Sequence, residues 1–206
     1  VRPRPIEVEP SRNPPVGIDL GLKSFYVTSD GEALDPPQYY RKAQKRLRRL
    51  QRIASRRTKG SNRWRKACRD VAHLHWHVAN QRRDFHFKAA NALVSRYGAV
   101  YAEDLNIKGI ARTRLAKSTY DVGWGSFLSI LEYKAESAGV RFETVDPAYT
   151  TQMCSRFGAI PDKKMTLRDR TYSCKSCGFT ADRDENAALN VLAKGLGCSP
   201  QSISAA

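Results

Sequence analysis

The sequence predicts an α/β fold interrupted twice, once by a long basic helical hairpin and once by a cysteine-bearing insert. Three observations carry this. Short apolar runs bounded by turn residues, at Val16–Leu20, Phe25–Val27, 99–107 and 140–146, read as strands. The segments between them repeat apolar residues at helical spacing. Residues 150–180 hold three of the five cysteines, few large aliphatics and many turn formers. The expected order is strand, strand, hairpin, strand, helix, strand, insert, helix, an alternation that argues for α/β.

The run PVGIDLGLKSFYVTS, from Pro15, opens the fold, with a turn at Leu22-Lys23 between its two strands. Asp19 is the anomaly. A carboxylate within a buried strand is costly unless its charge is compensated. One reading is an Asp that caps a turn at a strand end. The other is a metal or phosphate site, because the flanking glycines let another group approach the backbone closely.

From Arg41 to Lys66 there are 13 Lys or Arg and no acid, with Ala43, Leu47, Leu50 and Ile53 or Ala54 at helical spacing. Gly60 reads as a helix stop and Ser61 or Asn62 as the next N-cap. Trp64, Ala67, Val71, Leu74, Val78, Phe85, Ala89 and Ala92 then mark a second helical seam. The two helices make an antiparallel hairpin over about 38–97, with basic faces outward. Lys42, Lys45, Arg46, Arg49, Arg52, Arg56, Arg57, Lys59 and Arg63 are the candidate nucleic-acid contacts. A solvated charged face is the plainer reading, and the lack of any balancing acid argues against it. Such contacts are salt-dependent, since each neutralised phosphate releases counterions. All four histidines, His73, His75, His77 and His86, fall in the second helix. His73 and His77 share a face, yet no acid accompanies them as in a zinc protease. The pair lies off the apolar seam, and phosphate contact or solvation is expected for it rather than metal.

AVYAEDLNI delivers Glu103 and Asp104 near the end of a strand. Residues 106–120, with Lys108, Arg112, Arg114 and Lys117, read as a mobile basic loop. VGWGSFLSILEYKAESAG is an amphipathic helix in which Trp124 and Phe127 belong to the core. VRFETVD is a strand. DRDENAALNVLAKGLG closes the fold as a helix whose acidic start suits its positive N-terminus. CSPQSISAA reads as a frayed tail.

The totals set the partners. The chain has 206 residues and a net charge of +16, with a pI of about 9.9. That imbalance points to a polyanion, of which nucleic acid is the commonest. No apolar run approaches 18 residues, so no membrane span is expected, and no signal-peptide pattern is present. An odd number of cysteines with one C-x-x-C pair suggests metal in a reducing compartment rather than a disulfide framework. The expectation is therefore cytoplasmic, prokaryotic-type and nucleoid-associated. The proline-rich VRPRPIEVEPSRNPP, starting on Val1, reads as a linker, and the chain as a piece of something longer.

Asp19, Glu103 and Asp184 come from two strands and one helix start. Nucleic-acid hydrolysis at a two-metal site needs several acids converging on hard cations, and Mg²⁺ suits oxygen ligands. Neutralisation by such cations would make Asp19 tolerable. GIDLG also resembles the first phosphate loop of the actin, Hsp70 and sugar-kinase ATPases. Leu22 and Lys23 stand where those proteins carry hydroxyls, and the chain is too short for their two lobes.

Taken together, GIDLGLKSF, AEDLNIKG, GWGSFLSILEYKA, the cysteine segment and CGFTADRDENAALNVL resemble the TnpB (OrfB) transposon-encoded nucleases, relatives of the compact type V CRISPR effectors. The resemblance runs collinearly from about Val16 to Gly195, and its last two stretches are distinctive. It implies an RNase H-like (RuvC-type) domain with an inserted zinc ribbon, cleaving DNA under RNA guidance with Mg²⁺. It divides the chain into a linker (1–15), a first nuclease part (16–149), a ribbon-like insert (150–180), a final helix (181–197) and a tail (198–206). It puts the catalytic, Mg²⁺-holding acids at Asp19, Glu103 and Asp184. Asp182 is then expected to cap or support, and Asp104 to fix the following loop. With all three acids intact, the chain does not read as catalytically dead.

Two departures qualify this. The family ribbon carries two C-x-x-C pairs, but CSRFG puts Phe157 in place of one cysteine. Cys154, Cys174 and Cys177 remain for Zn²⁺, with Asp162, Asp169 or water as a substitute fourth ligand. The alternative is an empty ribbon in which Phe157 adds apolar packing. By the resemblance, the family segment that grips guide RNA is expected before the nuclease part, and this chain is read as lacking it. The sequence thus supports an Mg²⁺-dependent endonuclease acting on single-stranded or unwound DNA, with guide RNA as a partner of the full-length protein. The alternative is a truncated module that binds nucleic acid without targeted cleavage. A strand-transferring integrase shares the acids but is disfavoured by the resemblance.

Overall fold

A computed structural model describes residues 13–161, 165–166 and 169–199. Most of the expected linker, Asp162 and the end of the tail lie outside the described residues.

Five strands form one sheet: β1 (Pro15–Asp19), β2 (Tyr26–Thr28), β3 (Ala33–Leu34), β4 (Ala99–Glu103) and β5 (Arg141–Val145), in the order β3-β2-β1-β4-β5. β1, β2 and β3 are antiparallel neighbours, whereas β1–β4 and β4–β5 are parallel. Parallel neighbours need long crossovers. The first crossover is the hairpin of α1 (Tyr39–Ser55) and α2 (Asn62–Arg96); the second is α3 (Ile107–Ile110), α4 (Ala116–Val122) and α5 (Trp124–Ala138). A separate two-stranded ribbon, β6 (Thr171–Ser173) and β7 (Thr180–Asp182), leads into α6 (Arg183–Gly195).

Strand alternation sorts the core into two faces. Val16, Ile18, Val100 and Ala102 bury against Ala90 and Leu93 of α2 and Phe127 and Leu131 of α5. Trp124 is buried in the same core. Each such large side chain contributes about 1.5–3 kcal/mol by leaving water. On the opposite face Tyr101 packs with Val191 and Leu192 of α6. Gly17 sets how close α6 comes: a Cβ there would lie 2.2 Å from the Ala188 carbonyl oxygen and 2.5 Å from the Leu192 nitrogen. The close approach expected around Asp19 is therefore made by a helix.

The hairpin forms as the periodicity predicts, with Ser61 as N-cap accepting from Trp64 N at 3.1 Å. Its second seam shifts along the helix. Ala67, Leu74 and Val78 are buried, but from there the buried set moves to His86, Ala89, Ala90 and Leu93, and Ala92 is exposed. The reason is a change of neighbour, because α2 packs both on α1 and on α5. His86 differs from the His73–His77 pair. It is fully buried, its Nε2 lies 2.9 Å from the Val122 carbonyl oxygen, and its ring stacks on Phe25 at 5.6 Å. Burial holds its pKa below the usual histidine value. The other three histidines are exposed.

The expected mobile loop at 106–120 is instead α3 and most of α4, with Thr119 and Asp121 buried. Asp121 explains the order. Its two carboxylate oxygens accept from Tyr40 N at 2.9 Å and Arg41 N at 3.1 Å. It thus caps α1, whose own N-cap residue Gln38 offers no side-chain bond. Asp104 is exposed and does not fix this segment with its side chain; Asn106 does, accepting from Gly109 N at 2.9 Å. Among the described residues, no helix is long and apolar enough to cross a membrane.

Candidate active site

Asp19 ends β1 and Glu103 ends β4. The parallel register pairs Ile18 with Ala102, so the two acids leave adjacent strands side by side. By alternation both share the Gly17–Tyr101 face, the one α6 covers. Asp184 is the second residue of α6. Asp182 caps that helix as expected, accepting from Asp184 N at 2.9 Å. All three acids are buried. Asp19 is pushed well above the usual carboxylate range, first by burial and then by the charges of Glu103 and Asp184, with Arg183 opposing. Burial also raises Glu103, opposed by a hydrogen bond from Thr150.

Other groups already hold the acids. The Thr150 hydroxyl donates to Glu103 and lies 3.0 Å from the Pro147 carbonyl oxygen. Arg183 donates to Asp184 Oδ1 from Nε at 3.2 Å and from its terminal nitrogen at 3.1 Å, and Arg170 lies 3.9 Å from Oδ2. The carboxylates interact, yet they do not each bring an oxygen within 4.8 Å of the others; among the described residues only Cys154, Cys174 and Cys177 form such a group.

The thiols sit on two turns of the same form. In the first, Gly158 N donates to the Cys154 carbonyl at 2.8 Å and Cys154 N to that of Ala159 at 2.9 Å. In the second, Gly178 N donates to the Cys174 carbonyl at 2.9 Å and Cys174 N to that of Phe179 at 2.8 Å. Gly158 and Gly178 hold φ of 75° and 71°, left-handed values that glycine adopts freely. The Arg156 and Phe157 amides reach the Cys154 sulfur as the Ser176 and Cys177 amides reach that of Cys174. Burial pushes both thiols up. At Cys154 burial prevails, whereas at Cys174 the amide and thiol hydrogen bonds win and bring it down to about 7. Phe157 therefore takes the backbone position that Cys177 has in the other turn. Phe157 is 49% exposed, so about half of it is covered. Asp169 is not part of the cluster: its carboxylate accepts from the Thr166 amide and hydroxyl at 2.7 and 2.9 Å.

One polar row of α6 ties both centres together. Asn186, Asn190 and Lys194 recur every four residues and so share a face. Lys194 donates to the Asp146 and Ala148 carbonyls at 2.8 and 2.5 Å, and Asn190 to those of Thr150 and Met153 at 2.8 and 2.7 Å. Asn186 donates to Met153 O at 2.8 Å and accepts from Ser155 N at 3.0 Å. The gripped strand of backbone, 146–155, carries both Thr150 and Cys154. Sequence reasoning missed Thr150, Arg170, Arg183 and this row; the four-residue spacing was the one available signal.

On the hairpin, Lys42, Lys45, Arg46, Arg49, Arg52, Arg56, Arg57, Lys59 and Arg63 are all exposed. None makes an ion pair among the described residues.

This mixed α/β architecture is shared with a solved Cas12f1–sgRNA–target DNA complex. The TM-score is 0.62 over 90% of this chain and 50% of that one, and at 19% identity the likeness is one of fold. Residues 1–114 match the OrfB_IS605 family, described as "Probable transposase", and residues 124–191 match the Cas12f1-like TNB domain. The chain belongs to the TnpB/OrfB transposase family. Two bacterial relatives share the name "Putative RNA-guided DNA endonuclease". That of Streptomyces pristinaespiralis is 35% identical over 92% of this chain and 47% of its own length. InsQ of Escherichia coli K12 is 35% identical over 87% and 48%. The chain thus spans about half the length of the curated relatives it matches.

Proposed function

We propose that this chain is the Mg²⁺-dependent DNA endonuclease domain of a TnpB-like RNA-guided nuclease, with an RNase H-like (RuvC-type) core split by a zinc-ribbon-like insert at 150–180. The observation that carries this is the burial of Asp19, Glu103 and Asp184 where the central strands β1 and β4 end against α6, an acid edge at which Asp19 is pushed toward its neutral form. The site sets these three acids against Arg183 and Arg170 at Asp184 and Lys194 near Glu103. Its all-oxygen donor set fits a hard cation, and the three acids would hold it. Bound Mg²⁺ supplies an activated water and a stabilised leaving oxygen.

The protein's own groups have separate tasks. Thr150 orients Glu103. Arg183 and Arg170 hold the charge of Asp184. Cations of the hairpin grip nucleic-acid backbone without reading bases. Cys154, Cys174 and Cys177 fit a thiophilic ion and would hold Zn²⁺ with a weaker fourth ligand. A structural zinc contributes about 10–16 kcal/mol to the folding of a small domain. The solved Cas12f1 complex contains sgRNA and target DNA; guide RNA and target DNA are accordingly the partners proposed for the full-length protein.

The test is Asp184→Ala, assayed for Mg²⁺- or Mn²⁺-dependent nicking of single-stranded DNA with and without co-purified RNA. Cleavage should fall by more than the roughly 10–100-fold that follows loss of an outer-sphere partner, while DNA binding persists. Undiminished cleavage removes the mechanism. A second reading, binding without cleavage, is favoured by the separation of the carboxylates and the replaced cysteine. Metal-independent binding with no nicking in any divalent ion would select it.

A further inference from the structure

Tyr149 stands out on the strand of backbone that serves the acid centre. Among the described residues only it and Gln38 hold positive φ without being glycine, Tyr149 at 64°. Left-handed backbone is strained for an aromatic residue and nearly free for Asn or Gly. The surroundings enforce it. Lys194 fixes the Ala148 carbonyl, Asn190 fixes that of Thr150, and the Tyr149 carbonyl accepts from Gln152 N and Met153 N at 3.0 and 2.9 Å. Strain maintained this firmly is a pointer to function. The ring lies outside the core: it is 58% exposed and, among the described residues, stacks on no other aromatic side chain. Yet its chain neighbour Thr150 is buried and bonded to Glu103. An exposed aromatic residue is thus fixed in the backbone between Ala148, whose carbonyl Lys194 holds, and Thr150, whose hydroxyl is bonded to Glu103.

We infer that Tyr149 is a substrate-positioning residue whose ring stacks on a nucleobase of a single strand lying along the acid edge. Aromatic faces take any base without reading its identity. This suits a centre that cuts wherever a strand is delivered. A duplex keeps its bases stacked on one another, so the platform favours an unpaired strand. The inference rests on the proposed nuclease reading, which assigns nucleic acid to this edge.

The test uses the full chain and single-stranded DNA oligonucleotides carrying one 2-aminopurine at successive positions, in Ca²⁺. Stacking quenches 2-aminopurine fluorescence. One position should be quenched in the wild type, and Tyr149→Phe should keep the quench. Tyr149→Asn should abolish it, with the oligonucleotide held about five-fold or more weakly. Asn should also raise the melting temperature, because it relieves the backbone. A more stable protein that has lost the quench is a result no purely structural role produces. Persistence of the quench in Tyr149→Asn, or its loss in Tyr149→Phe, overturns the inference. The quench is read without cleavage. If the wild type cuts DNA but shows no quench, only this inference falls. If it quenches but never cuts in Mg²⁺ or Mn²⁺, only the nuclease reading falls.

Discussion

The acid edge and the thiol cluster are opposite kinds of incomplete site. The acid edge has all three acids of the proposed site, but they do not form a group within 4.8 Å, and Thr150 and Arg183 are bonded to two of them. The thiol cluster lacks one side chain, but its three sulfurs already lie within 4.8 Å of one another. The difference follows from charge. Three carboxylates cannot close on one another without a cation, because like charges in a buried place repel and drive protonation. A protonated thiol is spared this repulsion, and burial pushes Cys154 toward that form; its sulfur sits 3.7 Å from that of Cys177. On the proposed reading, the acid centre would therefore be closed by its metal. A centre built from thiols is assembled by its backbone turns.

Phe157→Cys is the largest lever on this contrast. The backbone of the first turn already has the form of the second, so the variant should complete the cluster with little rearrangement. Zinc affinity should rise by roughly 100-fold, which at saturating metal adds about 2.7 kcal/mol to stability. Competition with a chromophoric chelator reads the affinity; an unchanged value means the fourth position is not at residue 157. Thr150→Val acts on the other centre. Loss of an outer-sphere partner costs about 10–100-fold in metal affinity or activity, so the Mg²⁺ midpoint for cleavage should move up by that much. An unmoved midpoint would show that Glu103 orients itself.

Asp19→Asn separates stability from chemistry. The folded pKa of Asp19 lies above its unfolded value, so the folded state keeps a proton that the unfolded chain releases. Stability is greatest below the ordinary carboxylate value and falls as pH rises through the folded one. The substitution should flatten this slope and raise the metal-free melting temperature near neutral pH by ~3 °C or more, while ending cleavage. A lower melting temperature would mean the charge of Asp19 is already compensated. The smallest effects belong to the hairpin: replacing any one of Lys45, Arg49 or Arg52 with Gln should lower the salt slope of nucleic-acid binding by about 1.

Much of this was legible because it is local. Strand alternation and helical spacing revealed β1, β4 and both hairpin helices. Asp19 betrayed itself as a charge in an apolar strand. Asp184 was different: nothing in its spacing chose it over Asp182, and only the family resemblance did. What escaped depends on contacts distant in sequence. Asp121 caps a helix 80 residues before it. His86 looked like one more polar residue on a basic helix until Phe25 and Val122 closed around it. Thr150 has meaning only once β4 brings Glu103 across 47 residues.

The unbroken length of α2 has a consequence of its own. Thirty-five residues of helix run roughly 52 Å, and α1 lines about 25 Å of that rod with positive charge. Twenty-five ångströms corresponds to some seven steps of stacked base pairs, at about 3.4 Å each. If the hairpin grips nucleic acid as proposed, it would be a ruler as well as a handle. Inserting a matched turn into each arm should slide the gripped phosphates along their track and leave the acid edge untouched.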